Sequence, residues 1–326
     1  MLIRENLFQE TLIKPVNDGL TNLRIVSGYA SSLMLIRHLT FLKEKKLLNR
    51  DLSISLIIGM TSKDGIDFFN HKGFVEYLNT HNDLAISIRY VNDRPPVHSK
   101  LYLWNNNNSN VSFIGSANYS QNAFSESTRE VLLKTNQAYN EANDYYESIL
   151  ENTIDCRDLD ENNDSIRLYR RESIKNLIEP ESDEFQYNEA IGGLEKVTLS
   201  LLDRSGRMPE RSGLNWGQRP SRDRNQAYLG VPVAIQRTNF FPVIAKHFLV
   251  ITDDGKELVC VRAQQNGKAI HTTFSNSYMG EYFRNRLGLS NGAYVNKTDL
   301  LAYGRTDVDI YKIDEETYFL DYSVQD

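Results

Sequence analysis

The sequence predicts an α/β domain with a largely buried central sheet, followed by a β-rich barrel. Three observations carry this. Short apolar runs alternate with amphipathic segments through the first half, closely spaced strand-like runs with one helix fill the second, and two acidic, turn-rich stretches lie between. At 326 residues the chain is about twice ordinary domain size, which agrees with two domains.

In the first half, residues 23–28 read as a strand, followed by a helix over about 31–46. Residues 52–59 read as a buried strand and 67–80 as a helix with Phe68, Phe69, Phe74 and Leu78 for packing. The run 84–91 alternates and predicts a third strand, and 97–104, 111–114 and 130–134 predict three more before a helix over 137–150. The acidic stretches 151–164 and 179–189 are linker-like, and the boundary is placed near residue 180, giving domains 1–180 and 181–326. Beyond it, 248–252 and 257–262 flank an Asp-Asp-Gly turn and read as a hairpin. Residues 268–274 form a further strand, 307–313 pairs with 317–322, and one short helix spans 278–286.

Composition narrows the function. With 37 Lys+Arg against 43 Asp+Glu the net charge is -6, so whole-chain charge does not advertise a nucleic-acid binder. The longest apolar runs, such as 54–60, are too short to cross a bilayer, and no charged-then-apolar leader opens the chain. Cys156 and Cys260 are far apart and form no metal-ligand pair. A cytoplasmic protein without membrane attachment is expected.

The sharpest chemical feature is His98-Ser99-Lys100, followed by Gly115-Ser116-Ala117-Asn118 and then Glu130. On a strand, His98 and Lys100 share one exposed face by the period-two rule, while Leu101 and Leu103 point the other way into the core. A glycine at the end of the next strand permits a tight backbone, so Ser116 and Asn118 aim at the same spot. The set offers a nucleophile that also handles protons, one cation and several neutral hydrogen-bonding groups. A phosphodiester needs those groups: one to attack phosphorus, others to stabilise charge growing on its oxygens. Alone, His-x-Lys is commonly an idle exposed pair and Gly-Ser-x-Asn a turn. Their joint order on adjacent strand-like segments is what points to a site. His38, within an apolar helix, reads as a packed side chain, and Glu44-x-Lys46 as a helix-surface pair. No His-Glu-x-x-His occurs, and no metal ligands are assigned.

The run from His98 to Glu130 resembles the phospholipase D superfamily signature, and His98, Lys100, Ser116, Asn118 and Glu130 match it position by position. The wider pattern has an Asp five residues after the Lys, where this chain has Asn105, and an Asn-rich loop lengthens the spacing to Gly115. Nuclease branches often lack that Asp, which favours a nuclease over a lipase. The resemblance implies an α/β domain with a central mixed sheet flanked by helices and chemistry without metal or other cofactor. By it His98 attacks phosphorus to give a phosphohistidine, Lys100 and Asn118 hold the non-bridging oxygens, Ser116 adds a hydrogen bond, and Glu130 accepts one from a ring nitrogen. A second His must protonate the leaving oxygen. With one motif per chain, two chains are expected to pair through the N-terminal domain and contribute His98 each.

The second half is locally basic. Residues 193–306 hold 16 basic and 9 acidic side chains, a net of +7 within an acidic protein. Arg211, Asn215, Trp216, Gln218, Arg219, Arg222, Arg224, Asn225 and Gln226 form one candidate DNA-reading arm. Gln264, Gln265, Asn266, Lys268 and His271 form a second. The bland alternative is a solvated arginine-rich loop. Residues from about 205 to 322 resemble the plant-type "B-three" DNA-binding pseudobarrel, most tellingly at Arg224-Asn225-Gln226-Ala227-Tyr228 and Gly280-Glu281-Tyr282-Phe283-Arg284-Asn285-Arg286-Leu287-Gly288. A phospholipase D-type nuclease joined to such a barrel is the layout of NgoFVII-type and BfiI-like restriction endonucleases. The resemblance implies a site-specific endonuclease acting on double-stranded DNA. Some such enzymes resemble partners of separately encoded helicase-like ATPases; no Gly-x-x-x-x-Gly-Lys-Ser/Thr loop occurs here, so ATP dependence would come from another protein. A lipid phosphodiesterase, or a DNA-binding regulator with an inactive nuclease domain, are the competing readings.

Overall fold

The apolar runs of the first half become strands of one mixed sheet. The computed structural model describes residues 1–125, 128–160, 162–178 and 184–324. The chain divides into two units, Met1–Arg170 and Arg171–Asp326; the expected boundary at residue 180 lies outside the described residues. The strands of the first unit are β1 (Leu2–Ile3), β2 (Asn22–Ser27), β3 (Ser53–Ile58), β4 (Ile66–Asp67), β5 (Ala85–Val91), β6 (Leu101–Asn105), β7 (Asn110–Gly115), β8 (Leu132–Thr135), β9 (Thr153–Asp155) and β10 (Leu168–Tyr169). Eight of them form a sheet in the order β1-β8-β7-β6-β2-β3-β5-β9, and β4 and β10 make a separate parallel pair. β2, β3 and β5 run parallel, while β6 joins β2 antiparallel. The carboxyl ends of β2, β3, β5 and β7 and the amino ends of β6 and β8 therefore gather at one edge of the layer.

Helices cover both faces. Tyr139, Ala142, Tyr146 and Ile149 of the helix Tyr139–Leu150 pack on Val26, Ile57, Val91, Leu101 and Leu103. On the other face Tyr102 and Trp104 are fully buried, Trp104 Nε1 donating to Thr11 O (2.8 Å). The helix Ser32–Glu44 begins where Ser31 accepts from Met34 N, and Phe68–Thr80 where Asp67 accepts from Phe69 N and Asn70 N. Both starts follow from Ser and Asp capping free backbone N–H groups. His38 is buried and meets the Tyr119 hydroxyl at 3.0 Å, so it supports the loop carrying Asn118 from below.

One strand begins later than its sequence suggests. Residues 97–104 read as continuous strand, but β6 starts at Leu101. The preceding segment is instead tied to another strand's end, Val97 N donating to Gly59 O (2.9 Å).

The second unit holds β11 (Glu195–Ser200), β12 (Leu229–Gly230), β13 (His247–Thr252), β14 (Glu257–Ala263), β15 (Ala269–Thr272), β16 (Asp307–Lys312) and β17 (Thr317–Asp321). They form one sheet in the order β11-β16-β17-β13-β14-β15-β12, parallel only at β13–β17, and it curls nearly closed around a core that includes Phe248, Phe283, Tyr318 and Tyr322. β13 and β14 are the expected hairpin, and β16 pairs with β17. The helix Ser277–Arg286 docks on the hairpin turn, where Arg286 clasps both Asp253 oxygens (2.5 and 2.7 Å). A second helix, Lys297–Tyr303, starts where Asp299 accepts Asn296 N (2.7 Å). At seven residues it is too short to show a period in the sequence.

Candidate active site and DNA-binding face

The active-site candidates come together at the edge where the strand ends gather. His98 is exposed, whereas Lys100 is only 7% exposed, contrary to the exposed face expected for both. The extended lead-in to β6 carries Lys100 inward, and its Nζ donates to His98 O (2.5 Å). Burial lowers the Lys100 pKa, and the nearby Glu130 carboxylate opposes that shift. Both side chains converge over Gly28, at the carboxyl end of β2. A Cβ there would lie 2.8 Å from His98 Cδ2 and 3.4 Å from Lys100 Nζ.

The second motif is set by close backbone approach. Gly115 ends β7 beside the chain entering β8, where a Cβ would lie 2.1 Å from Val131 O. Ser116 N donates to that same carbonyl (3.0 Å), and Val131 N donates to Ser116 Oγ (3.1 Å). Ser116 Oγ in turn donates to the Glu130 carboxylate. Glu130 thus receives Ser116, and among the described residues the His98 ring has no hydrogen-bond partner. Asn118 Oδ1 accepts from Tyr29 N (3.2 Å). Its acceptor is thereby occupied inward, leaving Nδ2 as a donor for a ligand. Asn105, five residues beyond Lys100, sits at the far end of β6, paired with Asn22 and Asn110. Among the described residues no three His, Cys, Asp or Glu side chains converge as a metal site, and no helix is long and apolar enough to cross a membrane.

In the second unit the two expected arms meet on one face. Arg222 lies over the Trp216 ring (4.0 Å to its centroid), and Trp216 packs on Tyr228 (5.5 Å) and His271 (5.0 Å). His271 Nε2 lies 3.4 Å from Gln264 Nε2. Burial and the Arg222 charge lower the His271 pKa. Arg211, Arg219, Arg222, Arg224, Gln264, Gln265, Asn266 and Lys268 are exposed. The turn 264–267 is pinned from beneath by Arg262, whose guanidinium reaches the carbonyls of Gly267 (3.2 Å), Asn266 (3.4 Å) and Pro242 (3.3 Å).

Four residues of the expected first arm do structural work instead: Trp216 is buried beneath Arg222 and packs on Tyr228 and His271. Asn215 is fully buried, donating to Pro209 O (3.0 Å) and Val295 O (2.8 Å) and accepting Val295 N (2.9 Å), so no group remains for a base. Asn225 accepts Gly292 N (2.6 Å) and donates to Glu281 (3.4 Å). Gln218 is occupied by the Arg224 and Gly292 carbonyls (3.3 and 3.1 Å). A sequence shows residue type but not which face of a loop its amide takes.

Two family models divide the chain between them. The NgoFVII restriction endonuclease N-terminal PLD domain matches residues 5–161, and the NgoFVII C-terminal B3-like DNA-binding domain matches 189–314. The chain is a member of the NgoFVII restriction endonuclease family. It is a DNA endonuclease with a phospholipase D-type nuclease domain and a B3-like DNA-binding domain. No curated protein matches it. Similar solved structures include NucT from Helicobacter pylori (18% identity, TM-score 0.34, 48% of this chain and 97% of that one). Nuc from Salmonella typhimurium, a phospholipase D family member, is another (12%, 0.34, 48% and 95%). Polyphosphate kinase from Porphyromonas gingivalis is a third (15%, 0.33, 52% and 25%).

In this NgoFVII-family endonuclease, sequence reasoning passed over Ser27, Gly28 and Tyr29, which wall the candidate site, and Arg262, which pins the 264–267 turn. The first group carries a readable signal: a Gly-Tyr pair closing a parallel strand at the sheet edge where α/β ligands bind.

Proposed function

We propose that this endonuclease cuts double-stranded DNA at a specific sequence by a metal-independent, two-step displacement through a phosphohistidine. The observation carrying this reading is the convergence of His98, Lys100, the Ser116–Glu130 pair and Asn118 at one sheet edge. A ring nitrogen of His98 attacks phosphorus, and the P–O bond to the leaving nucleoside breaks as that oxygen takes a proton from a second imidazole. Water, deprotonated by the same second imidazole, then breaks the P–N bond and restores His98. Lys100 and the Asn118 amide N–H groups stabilise charge on the non-bridging oxygens. Glu130 fixes the Ser116 hydroxyl beside the phosphate.

One chain supplies one such histidine, so the second imidazole is the His98 of an identical chain in a twofold homodimer. The B3-like domain selects the sequence through Arg211, Arg219, Arg222, Arg224, Gln226 and the 264–271 arm. The enzyme acts in the cytoplasm, and a separately encoded helicase-like ATPase is a candidate partner. Digestion of a sequenced plasmid in EDTA with end mapping tests this reading. Discrete ends in EDTA, lost in His98→Ala with DNA binding retained, are expected. Abolition by EDTA with recovery on magnesium overturns the metal-free route.

A further inference from the structure

We propose that Tyr29, tethered by Asp64, is a positioning residue that holds the His98 ring in line with phosphorus. This rests on the reading of His98 as nucleophile. Among the described residues no hydrogen bond holds the His98 ring, yet displacing a nucleophile by about 1 Å costs about 100-fold in rate. Something else must fix the ring. Gly28 confines one edge, with its absent Cβ position 2.8 Å from His98 Cδ2. Tyr29 confines it from the side, its ring meeting the imidazole edge-on with centroids 5.9 Å apart and planes at 80°.

Tyr29 is itself held at three points. Its N–H donates to Asn118 Oδ1 (3.2 Å), its carbonyl accepts Ser27 Oγ (2.5 Å), and its hydroxyl donates to Asp64 Oδ2 (2.6 Å). Asp64 closes the single helical turn Thr61–Asp64, and the chain leaving that turn is locked as Ile66 N donates to Arg167 O (2.9 Å). The tether therefore ends on a fixed support. The hydrogen bond to Asp64 pushes the Tyr29 pKa up, so the phenol stays a neutral donor. At 45% exposed, the ring is not a core element, and packing alone does not account for the anchoring of its hydroxyl and both backbone groups.

The test is single-turnover plasmid cleavage by the full chain in EDTA, with the saturating rate and half-saturating enzyme concentration measured separately. Tyr29→Ala should lower the saturating rate about 100-fold with half-saturation unchanged, and Tyr29→Phe should recover most of it, leaving a loss of about fivefold. Asp64→Ala should match Tyr29→Phe, and the double variant should be no worse than either, because both remove one hydrogen bond. A Tyr29→Ala rate within about twofold of wild type, or a loss confined to half-saturation, overturns the proposal. If Tyr29→Ala does not fold, the milder pair decides: equal losses uphold the tether and wild-type rates overturn it. His98→Ala, run alongside, separates the two readings. Its full activity overturns the nucleophile assignment and the positioning role together, whereas its inactivity beside a wild-type-like Tyr29→Ala overturns the positioning role alone.

Discussion

His98 and Lys100 meet over a residue with no side chain, and that single feature explains much of the site. The lysine is buried while the histidine is open, because the lead-in to β6 turns one toward the layer and the other toward solvent. Removing Lys100 therefore removes packing as well as charge. Lys100→Met, which keeps most of the volume, is expected to abolish cleavage while holding the melting temperature near that of wild type. Lys100→Ala should cost stability as well, by about 1–3 kcal/mol. Calorimetry beside cleavage assays checks both. His38 makes a different prediction. Burial lowers its pKa from 6.5 to about 4. The unfolded chain then takes up a proton before the folded one, so stability present above about pH 6.5 is lost as pH falls toward 4, by about 3 kcal/mol. The denaturation midpoints of wild type and His38→Gln should converge across that window. A constant gap would place the titration elsewhere.

Among elements, the candidate DNA-reading arm at 264–267 shows how a loop is built for exposure. The 264–267 turn holds Gln264 and Asn266 at φ of 63° and 62°, in the left-handed region, and Arg262 secures it by filling three carbonyls from below. A buried cation so satisfied is scaffold, and so are the buried Arg284 and the partly buried Arg286 paired with Asp253. The local excess of positive charge in the sequence therefore overstates what faces DNA. The exposed arginines remain. Arg222→Ala with Arg224→Ala should weaken DNA binding and lower the slope of log affinity against log salt by about 2, since two fewer counterions are displaced. Fluorescence anisotropy over a salt series measures it, and an unaltered slope would mark these side chains as solvated only.

At the scale of the molecule, the proposed twofold pairing, with one catalytic set per chain, makes assembly part of the chemistry. Co-expression with a ninefold excess of His98→Ala chains should reduce activity per wild-type chain about tenfold, because most wild-type chains would then sit in mixed dimers with a single imidazole. Proportional activity would show that each chain works alone. The two domains answer different demands, since the nuclease sheet must bring distant motifs to one edge while the curled sheet must present loops.

Sequence alone carried the order of the α/β and barrel-like parts and the longer strands and helices of the nuclease half, and it proposed His98, Lys100, Ser116, Asn118 and Glu130 as a set. Periodicity and capping are local, and a motif is a pattern of types. It missed β1, β4, β9, β10 and the helix Lys297–Tyr303, because elements of two to seven residues are too short to show a period; it also missed β11, whose solvent-facing strand lacks an apolar run, and the late start of β6, whose lead-in is held by another strand's end. The folded chain alone shows that Lys100 lies inside, that Glu130 meets Ser116, that Asn215 clamps a loop, and that Gly28 and Tyr29 flank His98. Each of these is a contact between segments far apart in the chain, fixed by strand order and by which side of a backbone faces its neighbour.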